Sequence, residues 1–273
     1  MQTNPQSILR KMPWPLLIML SIGIPGCVSY NPFGTTARSG NHEILVRTTT
    51  SISLEHQFKP DIVKELSLDK IPARVQKVVE RYDEAVRLRL MEDFRMAGVP
   101  YPPARLALLS FKKERRLELW GGETEESMQR IKSYPFTAFS GELGPKRRQG
   151  DRQIPEGIYR VTFLNPNSAY HLSMKLDYPN EFDRTMAEMD RRQQLGGDIF
   201  IHGDSYSIGC IALGDRAIEE LFILTAWAGM ENVQVIIAPY DLRRDPEIRP
   251  LETIPWTREL YARIQDALRP FHL

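Results

Sequence analysis

A series of short strand-like runs, each bounded by turn residues, limits this chain more than any other feature. The runs are rich in branched and aromatic residues and fall at residues 106–111, 117–120, 136–140, 157–163, 170–176, 199–202 and 233–238. Gly, Pro, Asn or Asp stands at their ends, which is typical of strands joined by tight turns. Regular spacing of this kind predicts a mainly β domain, either a sandwich or a barrel. Residues 112–116 are charged and are predicted as the tip of a hairpin.

Helices are predicted before, within and after this β region. Apolar residues recur at three- and four-residue spacing over 71–98, which indicates an amphipathic helix that ends at Gly98 and Pro100. A second helix is predicted between Asp215, as its N-cap, and Gly229. A short one is predicted over residues 257–268 of a C-terminal extension, 241–273. The predicted fold is therefore mainly β with α additions, its core at 104–240 and one or two helices packed on it.

The N-terminus has the pattern of an export signal. Arg10 and Lys11 precede an apolar run at 14–24, which is too short to span a bilayer and suits the core of a signal peptide. The letters IPGC at 24–27 resemble the lipobox of bacterial lipoproteins, so residues 1–27 are predicted as a lipoprotein signal with Cys27 as the lipid attachment site. Val28 resembles residues that permit sorting to a Gram-negative outer membrane. A flexible tether is predicted over 28–70, and the protein is expected on the periplasmic side of the envelope.

The cysteine count gives Cys210 a possible role. The chain has two cysteines, and an exported protein commonly joins such a pair in a disulfide. If Cys27 carries lipid, Cys210 has no partner, and an unpaired thiol in an oxidising compartment favours a catalytic role. The net charge of +1 and the lack of a basic stripe argue against nucleic acid as a partner.

The segment DIFIHGDSYSIGCIALG at 198–214 holds the residues with the strongest chemical pattern. An apolar strand leads to His202, Gly203 follows, and Cys210 comes eight residues later, behind Gly209. A thiol needs a nearby base to form thiolate at neutral pH, and an imidazole can supply it. A glycine beside the nucleophile lets backbone N–H groups approach a substrate carbonyl, as an oxyanion hole requires. Ser205 and Ser207 are candidates to orient the imidazole.

These motifs resemble the catalytic signature of the L,D-transpeptidase (YkuD-type) family, in particular its YafK-like branch. The similarity extends upstream through FSGELGPK at 139–146, GDRQIPEGIY at 150–159, NPNSAYHLS at 165–173 and YPN at 178–180. The resemblance implies a nucleophile at Cys210 that forms a thioester, a base at His202, and a turn and oxyanion hole shaped by Ser207 and Gly209. It also implies action on peptidoglycan stem peptides next to diaminopimelate, with no metal and no organic cofactor.

Substrate contacts are predicted around the same motifs. The candidate residues are Tyr206, Asp204, Ser140, Gly141, Lys146 and Asp151. The basic loop at 146–152 is either a solvated surface or a site that binds carboxylates through arginine.

Departures from the family pattern leave the reaction open. Ile208 stands where a second histidine is common, and Ala212 stands where an arginine often follows the cysteine. Transpeptidation and hydrolysis are both compatible with the pattern, the latter including a cut in a wall crosslink or in a link between the wall and an envelope protein. A non-catalytic lipoprotein that binds peptidoglycan is a further alternative. A zinc site at His202, Cys210 and Asp204 has too few ligands, and serine chemistry at Ser205 lacks the partners it needs.

Overall fold

The computed structural model describes residue 64 and residues 66–272. The predicted signal, the lipid attachment site at Cys27 and the tether up to residue 63 lie outside these residues. The helices are α1 (Ala73–Ala97), α2 (Glu181–Met189), α3 (Asp215–Ala228) and α4 (Thr257–Leu268). The strands are β1 (Arg105–Phe111), β2 (Arg116–Gly122), β3 (Gln129–Pro135), β4 (Gly157–Ser168), β5 (His171–Leu176), β6 (Phe200–His202), β7 (Ile211–Ala212) and β8 (Val233–Ala238).

The eight strands form one sheet in the order β3-β2-β1-β8-β4-β5-β6-β7. β8 lies in the middle, parallel to β1 on one side and antiparallel to β4 on the other. The long strand β4 changes partner along its length: residues 157–160 pair with β8, whereas residues 161–168 pair with β5. Irregular register on this second part lets the sheet curl. The predicted mainly β fold with packed helices is confirmed.

Both faces of the central strands are buried because helices cover both. One hydrophobic cluster joins α1 and α3 to alternate residues of β1 and β8, such as Leu106, Leu108 and Val235. A second cluster joins the intervening residues, such as Leu109 and Ile236, to α4. This two-sided burial explains why β1 and β8 are apolar runs without alternation. Residues of the predicted C-terminal extension thus share a core with the sheet.

The amphipathic pattern before the β region corresponds to α1. Its five fully buried positions recur at helical spacing and are Val75, Val79, Val86, Leu90 and Phe94. The helix ends at Gly98, whose backbone is left-handed, a conformation that glycine adopts at little cost. None of the described helices is both long and apolar enough to cross a membrane.

Several predicted elements differ from the structure. The strand predicted at 136–140 is wrong: the strand is β3 at Gln129–Pro135, a half-exposed edge strand whose many polar residues hide its pattern. Helix α2 was not predicted, although Asn180 and Asp183 form the capping box that would have indicated it. The N-cap of α3 is Gly214 rather than Asp215, which is the first residue of the helix. The two-residue strand β7 is too short to leave a pattern.

The predicted charged hairpin tip is present between β1 and β2, but its first residue does not face solvent. Lys112 is fully buried, and its ammonium Nζ lies 3.0 Å from a carboxylate oxygen of the equally buried Glu156. Nζ also donates to the carbonyl oxygens of Gly144 at 2.7 Å and Ile154 at 2.9 Å. Because the ammonium is fully hydrogen-bonded, a buried lysine is tolerated here. It anchors the irregular segment between β3 and β4, which carries four of the predicted site residues.

Candidate active site

Strand pairing brings His202 and Cys210 close together at one edge of the sheet. β6 and β7 run parallel, with Ile201 opposite Ile211 and His202 opposite Ala212. Cys210 directly precedes β7. Continued by one residue, the register puts Cys210 opposite Phe200, two residues from His202, with the Cα atoms of His202 and Cys210 roughly 8 Å apart. His202 and Cys210 are therefore neighbours across a strand pair.

The imidazole of His202 is held in one tautomer. Its Nδ1 lies 2.6 Å from the carbonyl oxygen of Gly203. A carbonyl oxygen only accepts, so Nδ1 carries the proton and Nε2 presents a lone pair. The ring of Tyr170 packs against the imidazole, with centroids 4.6 Å apart. Burial lowers the pKa of His202, opposed in part by the Gly203 carbonyl and the Asp204 carboxylate, so the ring is a neutral base at neutral pH.

The Cys210 thiol is half-buried and donates to the carbonyl oxygen of Asp198, with Sγ and O 3.8 Å apart. Burial raises the pKa of this thiol, while a backbone hydrogen bond from Phe200 and the charge of Lys146 act to lower it. No hydrogen bond joins Sγ to His202 within the described chain. Cys210 is therefore a thiol and His202 a neutral imidazole at neutral pH.

Ser207 and Gly209 fix the turn that carries the thiol. The Ser207 hydroxyl donates to the carbonyl oxygen of Cys210 at 2.7 Å and lies 3.0 Å from the hydroxyl of Ser140, which must be the donor in that pair. The Gly209 backbone has a φ of +122°, and an added Cβ would lie 3.3 Å from the carbonyl oxygen of Gln153. The turn is thus packed against the segment between β3 and β4.

The predicted orienting serines make other contacts. Ser205 bonds to the carboxylate of Asp204, and Ser207 bonds within the turn. The group that orients His202 is the backbone carbonyl of Gly203. A sequence shows side chains and not backbone contacts, so this partner left no signal.

Lys146 and Asp151, both predicted to contact substrate, bond to each other. The Lys146 ammonium lies 2.5 Å from Asp151 Oδ1. The same carboxylate accepts from the backbone N–H groups of Arg147, Arg148 and Gln153. Burial acts to raise the pKa of Asp151, but Lys146 and these N–H groups outweigh it, and the pKa is lowered. The pair shapes the loop and places a positive charge near the thiol.

The other predicted contacts lie around the thiol. Gly141 is held at Gln153, whose side chain bonds to Glu142 and to the Gly144 carbonyl oxygen. Asp204 is exposed and holds the loop after His202. The Tyr206 ring stacks on Tyr170 with centroids 6.4 Å apart and is 54% exposed, so it is open to a ligand.

Two open clefts lie near the loop at residues 203–210, and neither is lined by His202 or Cys210. The first, of about 880 Å³, is the arginine cleft; it includes Gly141 and Gln153, and its charged lining is Glu142, Arg147, Arg148, Asp151 and Arg192. The second, of about 680 Å³, includes Thr137, Asp204 and Ser205 at the start of the loop. In the described part of the chain no three His, Cys, Asp or Glu residues are grouped to hold a metal ion.

Comparison with known proteins defines the class of this domain. Residues 108–237 match the family model described as YkuD, L,D-transpeptidase catalytic domain. The resemblance seen in the sequence is confirmed.

Among curated proteins, the chain is similar to "Putative L,D-transpeptidase YafK" of Escherichia coli K12. The two are 39% identical over 135 residues, which is 48% of this chain and 52% of that protein. The counterpart in Escherichia coli O157:H7 matches equally. The chain therefore aligns with about half the length of these relatives.

Solved structures give more distant matches. The helical cell shape determining protein Pgp2 of Campylobacter jejuni is 20% identical, with 60% of this chain and 54% of that chain covered and a TM-score of 0.41. L,D-transpeptidase 1 of Mycobacterium tuberculosis is 12% identical, with 49% and 62% covered and a TM-score of 0.30.

Proposed function

We propose that this chain is an enzyme that modifies peptidoglycan through a thioester at Cys210, with His202 as the base. The observation that carries the proposal is the pairing of β6 with β7, which brings His202 and Cys210 close together at one edge of the sheet. The bond from Nδ1 to the Gly203 carbonyl adds to it, because it leaves Nε2 as the basic nitrogen. The family match supports the same reaction class.

The proposed reaction has two stages, formation of the thioester and its breakdown, and His202 accepts and returns a proton in each. Nε2 takes the thiol proton as Sγ attacks the peptide carbonyl carbon, and N–H groups of the turn at Gly209 and Cys210 stabilise the oxyanion. The imidazolium then protonates the departing amine, which leaves a thioester on Sγ. An incoming amine or water attacks the thioester, gives its proton to Nε2, and the thiolate recovers a proton as the product departs.

The proposed substrates are peptidoglycan stem peptides that contain diaminopimelate. Such peptides carry free carboxylates, which guanidinium groups bind well. The arginine cleft offers Arg147, Arg148 and Arg192, of which Arg147 and Arg192 already bond to Asp190. Arg148 in particular is placed to receive a carboxylate from the substrate. Tyr206, Asp204, Ser140 and Gly141 remain proposed contacts.

Hydrolysis is the second candidate, because Ala212 in place of an arginine leaves the choice between transfer and hydrolysis open. An arginine is common at this position, but Ala212 is fully buried beside Thr137, whose N–H donates to its carbonyl oxygen at 2.9 Å. No guanidinium can reach the substrate from there. Hydrolysis would act on a wall crosslink or on a bond between the wall and an envelope protein. Lipid attachment at Cys27, a membrane anchor and a periplasmic location stay predictions from the sequence.

The test compares the full chain with its Cys210→Ala and His202→Gln variants on diaminopimelate-type wall fragments. Mass spectrometry of the released muropeptides should show cleaved or newly joined peptides with wild type and none with either variant. Joined products indicate transfer, and cleaved products alone indicate hydrolysis. Lys113→Met, an exposed change far from the loop, is the matched control and should retain activity. If wild type leaves the muropeptides unchanged but still binds the wall, the chain is a peptidoglycan-binding protein and not an enzyme.

A further inference from the structure

A single peptide group connects His202 to a carboxylate on the next helix. The carbonyl of Gly203 accepts from His202 Nδ1, with the two atoms 2.6 Å apart. The N–H of Asp204 belongs to the same planar peptide unit and donates to Oδ1 of Asp215, 2.8 Å away. Asp215, one peptide group and two hydrogen bonds from the base, had no role in the mechanism above.

We propose that Asp215 is a positioning residue for His202, acting through the peptide group between Gly203 and Asp204. The proposal rests on the proposed function only in naming His202 as the base. In serine proteases a carboxylate bonds directly to the histidine, fixes its tautomer and stabilises the imidazolium. Here the peptide group lies between the Asp215 carboxylate and the imidazole. The carboxylate therefore fixes the tautomer and stabilises the imidazolium from the surface, where it remains hydrated.

Hydrogen-bond polarisation gives the link its chemical effect. An N–H that donates to an anion shifts electron density toward the carbonyl oxygen of the same peptide group. The Gly203 oxygen then becomes a better acceptor for the Nδ1 proton. The hydrogen bond between them strengthens as the ring becomes positively charged. The carboxylate therefore favours the imidazolium and partly offsets the burial that disfavours it.

The loop is built to permit this contact. Gly203 has no side chain, and an added Cβ would lie 2.7 Å from Asp215 Oδ1 and 2.8 Å from the carbonyl oxygen of Tyr170. Asp204 adopts a positive φ of 60°, an uncommon conformation outside glycine, which its bond to Asp215 helps to hold. Asp215 does not cap its own helix, since the N-cap is Gly214. Its carboxylate serves the loop instead.

The other ionisable groups near His202 set the background for a pH test. Tyr170 stacks on the ring, Asp204 follows it in the chain, and Cys210 faces it across the strand pair. Lys146 and Asp198 act on Cys210. None of these groups bonds to Asp215 except the backbone of Asp204, so a change at Asp215 leaves the other side chains in place.

The test is an NMR titration of the His202 ring in the full-length chain, with the signal assigned by its loss in His202→Gln. Asp215→Asn keeps an oxygen that can accept from Asp204 but removes the charge. We expect this variant to lower the pKa of His202 by roughly 0.5. Asp215→Ala should lower it further, and Asp215→Glu should restore part of the difference. On wall fragments kcat should fall several-fold with KM little changed. The acidic limb of the kcat–pH profile should shift to lower pH together with the His202 pKa.

Glu181→Gln is the matched control, because it also removes a carboxylate from the first turn of a helix, α2. It should leave the His202 titration unchanged. An unchanged His202 pKa in both Asp215→Asn and Asp215→Ala would overturn the proposal and leave Asp215 a purely structural residue. The titration needs no substrate, so a shift in His202 without wall activity would contradict the proposed function and leave this inference standing.

Discussion

Among single residues, Gly203 has the least freedom to change. Its backbone carries the acceptor for His202, and its α-carbon faces both Asp215 and Tyr170 at distances that exclude a methyl group. Any side chain there must displace backbone atoms on one side or a carboxylate on the other. Gly203 therefore has a steric role as well as a place in the His-Gly motif.

We predict that Gly203→Ala destabilises the fold by about 2 kcal/mol, as overpacking does, and reduces activity at least a hundredfold because the imidazole moves. Gly197→Ala is the control: its added Cβ would have its nearest contact at 4.0 Å, with the Tyr178 carbonyl oxygen. That variant should behave as wild type in urea unfolding and in turnover. Equal losses in both variants would contradict the steric explanation.

A pH profile of thiol reactivity should report the state of Cys210. Because burial raises its pKa, the thiolate is a small fraction at neutral pH, and alkylation by iodoacetamide should still be accelerating above pH 9. The acyl-transfer reaction should behave differently: it requires neutral His202, whose pKa is lowered, so activity should rise from acid and level off near neutral pH. An alkylation rate that reaches its plateau below pH 8 would indicate a resting thiolate instead.

At the residue level the sequence predicted His202 and Cys210 because their motif combines with an upstream pattern of the same family. It missed Tyr170, Gln153 and Asp215, whose roles depend on stacking and on bonds to the backbone of distant segments. Asp215 was assigned to a helix cap because a polar residue before an apolar run has that pattern. Gly214 holds that position, so the carboxylate is free to bond to the loop.

Among the elements, α1 is joined to α3 by charge as well as by packing. Arg89 on α1 bonds to Glu219 and Glu220 on α3, with N–O distances of 2.8 and 2.9 Å. Glu220 also accepts from Tyr134, and Glu219 bonds to His171. Residues of α1 lie outside the segment that matches the family, yet they support the helix whose first residue is Asp215.

We predict that Arg89→Met lowers the free energy of unfolding by about 2 kcal/mol, because it leaves two nearly buried carboxylates with fewer partners. The effect is below that of a fully buried pair because Arg89 is partly exposed. Arg95→Met on the same helix breaks the solvent-exposed pair with Glu92 and should cost far less. Urea unfolding measures both. Similar losses in the two variants would mean that the link between α1 and α3 contributes no more than a surface pair.

Across the whole molecule, the Lys112–Glu156 pair joins three parts of the fold. Lys112 follows β1, Glu156 precedes β4, and Tyr261 of α4 donates to the Glu156 carboxylate at 2.9 Å. The pair also holds the segment that contacts the catalytic turn, through Gly144 and Ile154. A charged residue next to a turn normally indicates a solvated tip, so this burial could not be predicted from the sequence.

We predict that Lys112→Met destabilises the protein by about 3–5 kcal/mol, since it leaves a charged carboxylate buried without its partner. The double variant Lys112→Met with Glu156→Gln should recover part of this loss. Lys113→Met, at the exposed neighbouring position, should be close to wild type in urea unfolding. A double variant no more stable than Lys112→Met would show that the carbonyl contacts of Lys112, and not its charge, stabilise the segment.

The mainly β class of the domain could be predicted from the sequence, but the order of the strands in the sheet could not. Apolar runs and turn residues are local signals, and they indicated strands. The insertion of β8 between β1 and β4 depends on long-range contacts, and β8 lies more than a hundred positions from β1 in the chain. No local pattern encodes such contacts.

The position of β8 also determines when the molecule can fold. The strand units β1–β2–β3 and β4–β5 can form early, but within the described sheet β8 alone pairs with both. Pairing β8 with β1 closes a long loop of chain, and the loss of conformational entropy comes before the stabilising contacts form. This step is therefore slow. A chain emerging from the ribosome or crossing a membrane thus keeps its two halves separate until residue 238 is available. The edge that carries Cys210 should become fixed to the rest of the domain among the last parts, so the proposed nucleophile reaches its final position only when the chain is nearly complete.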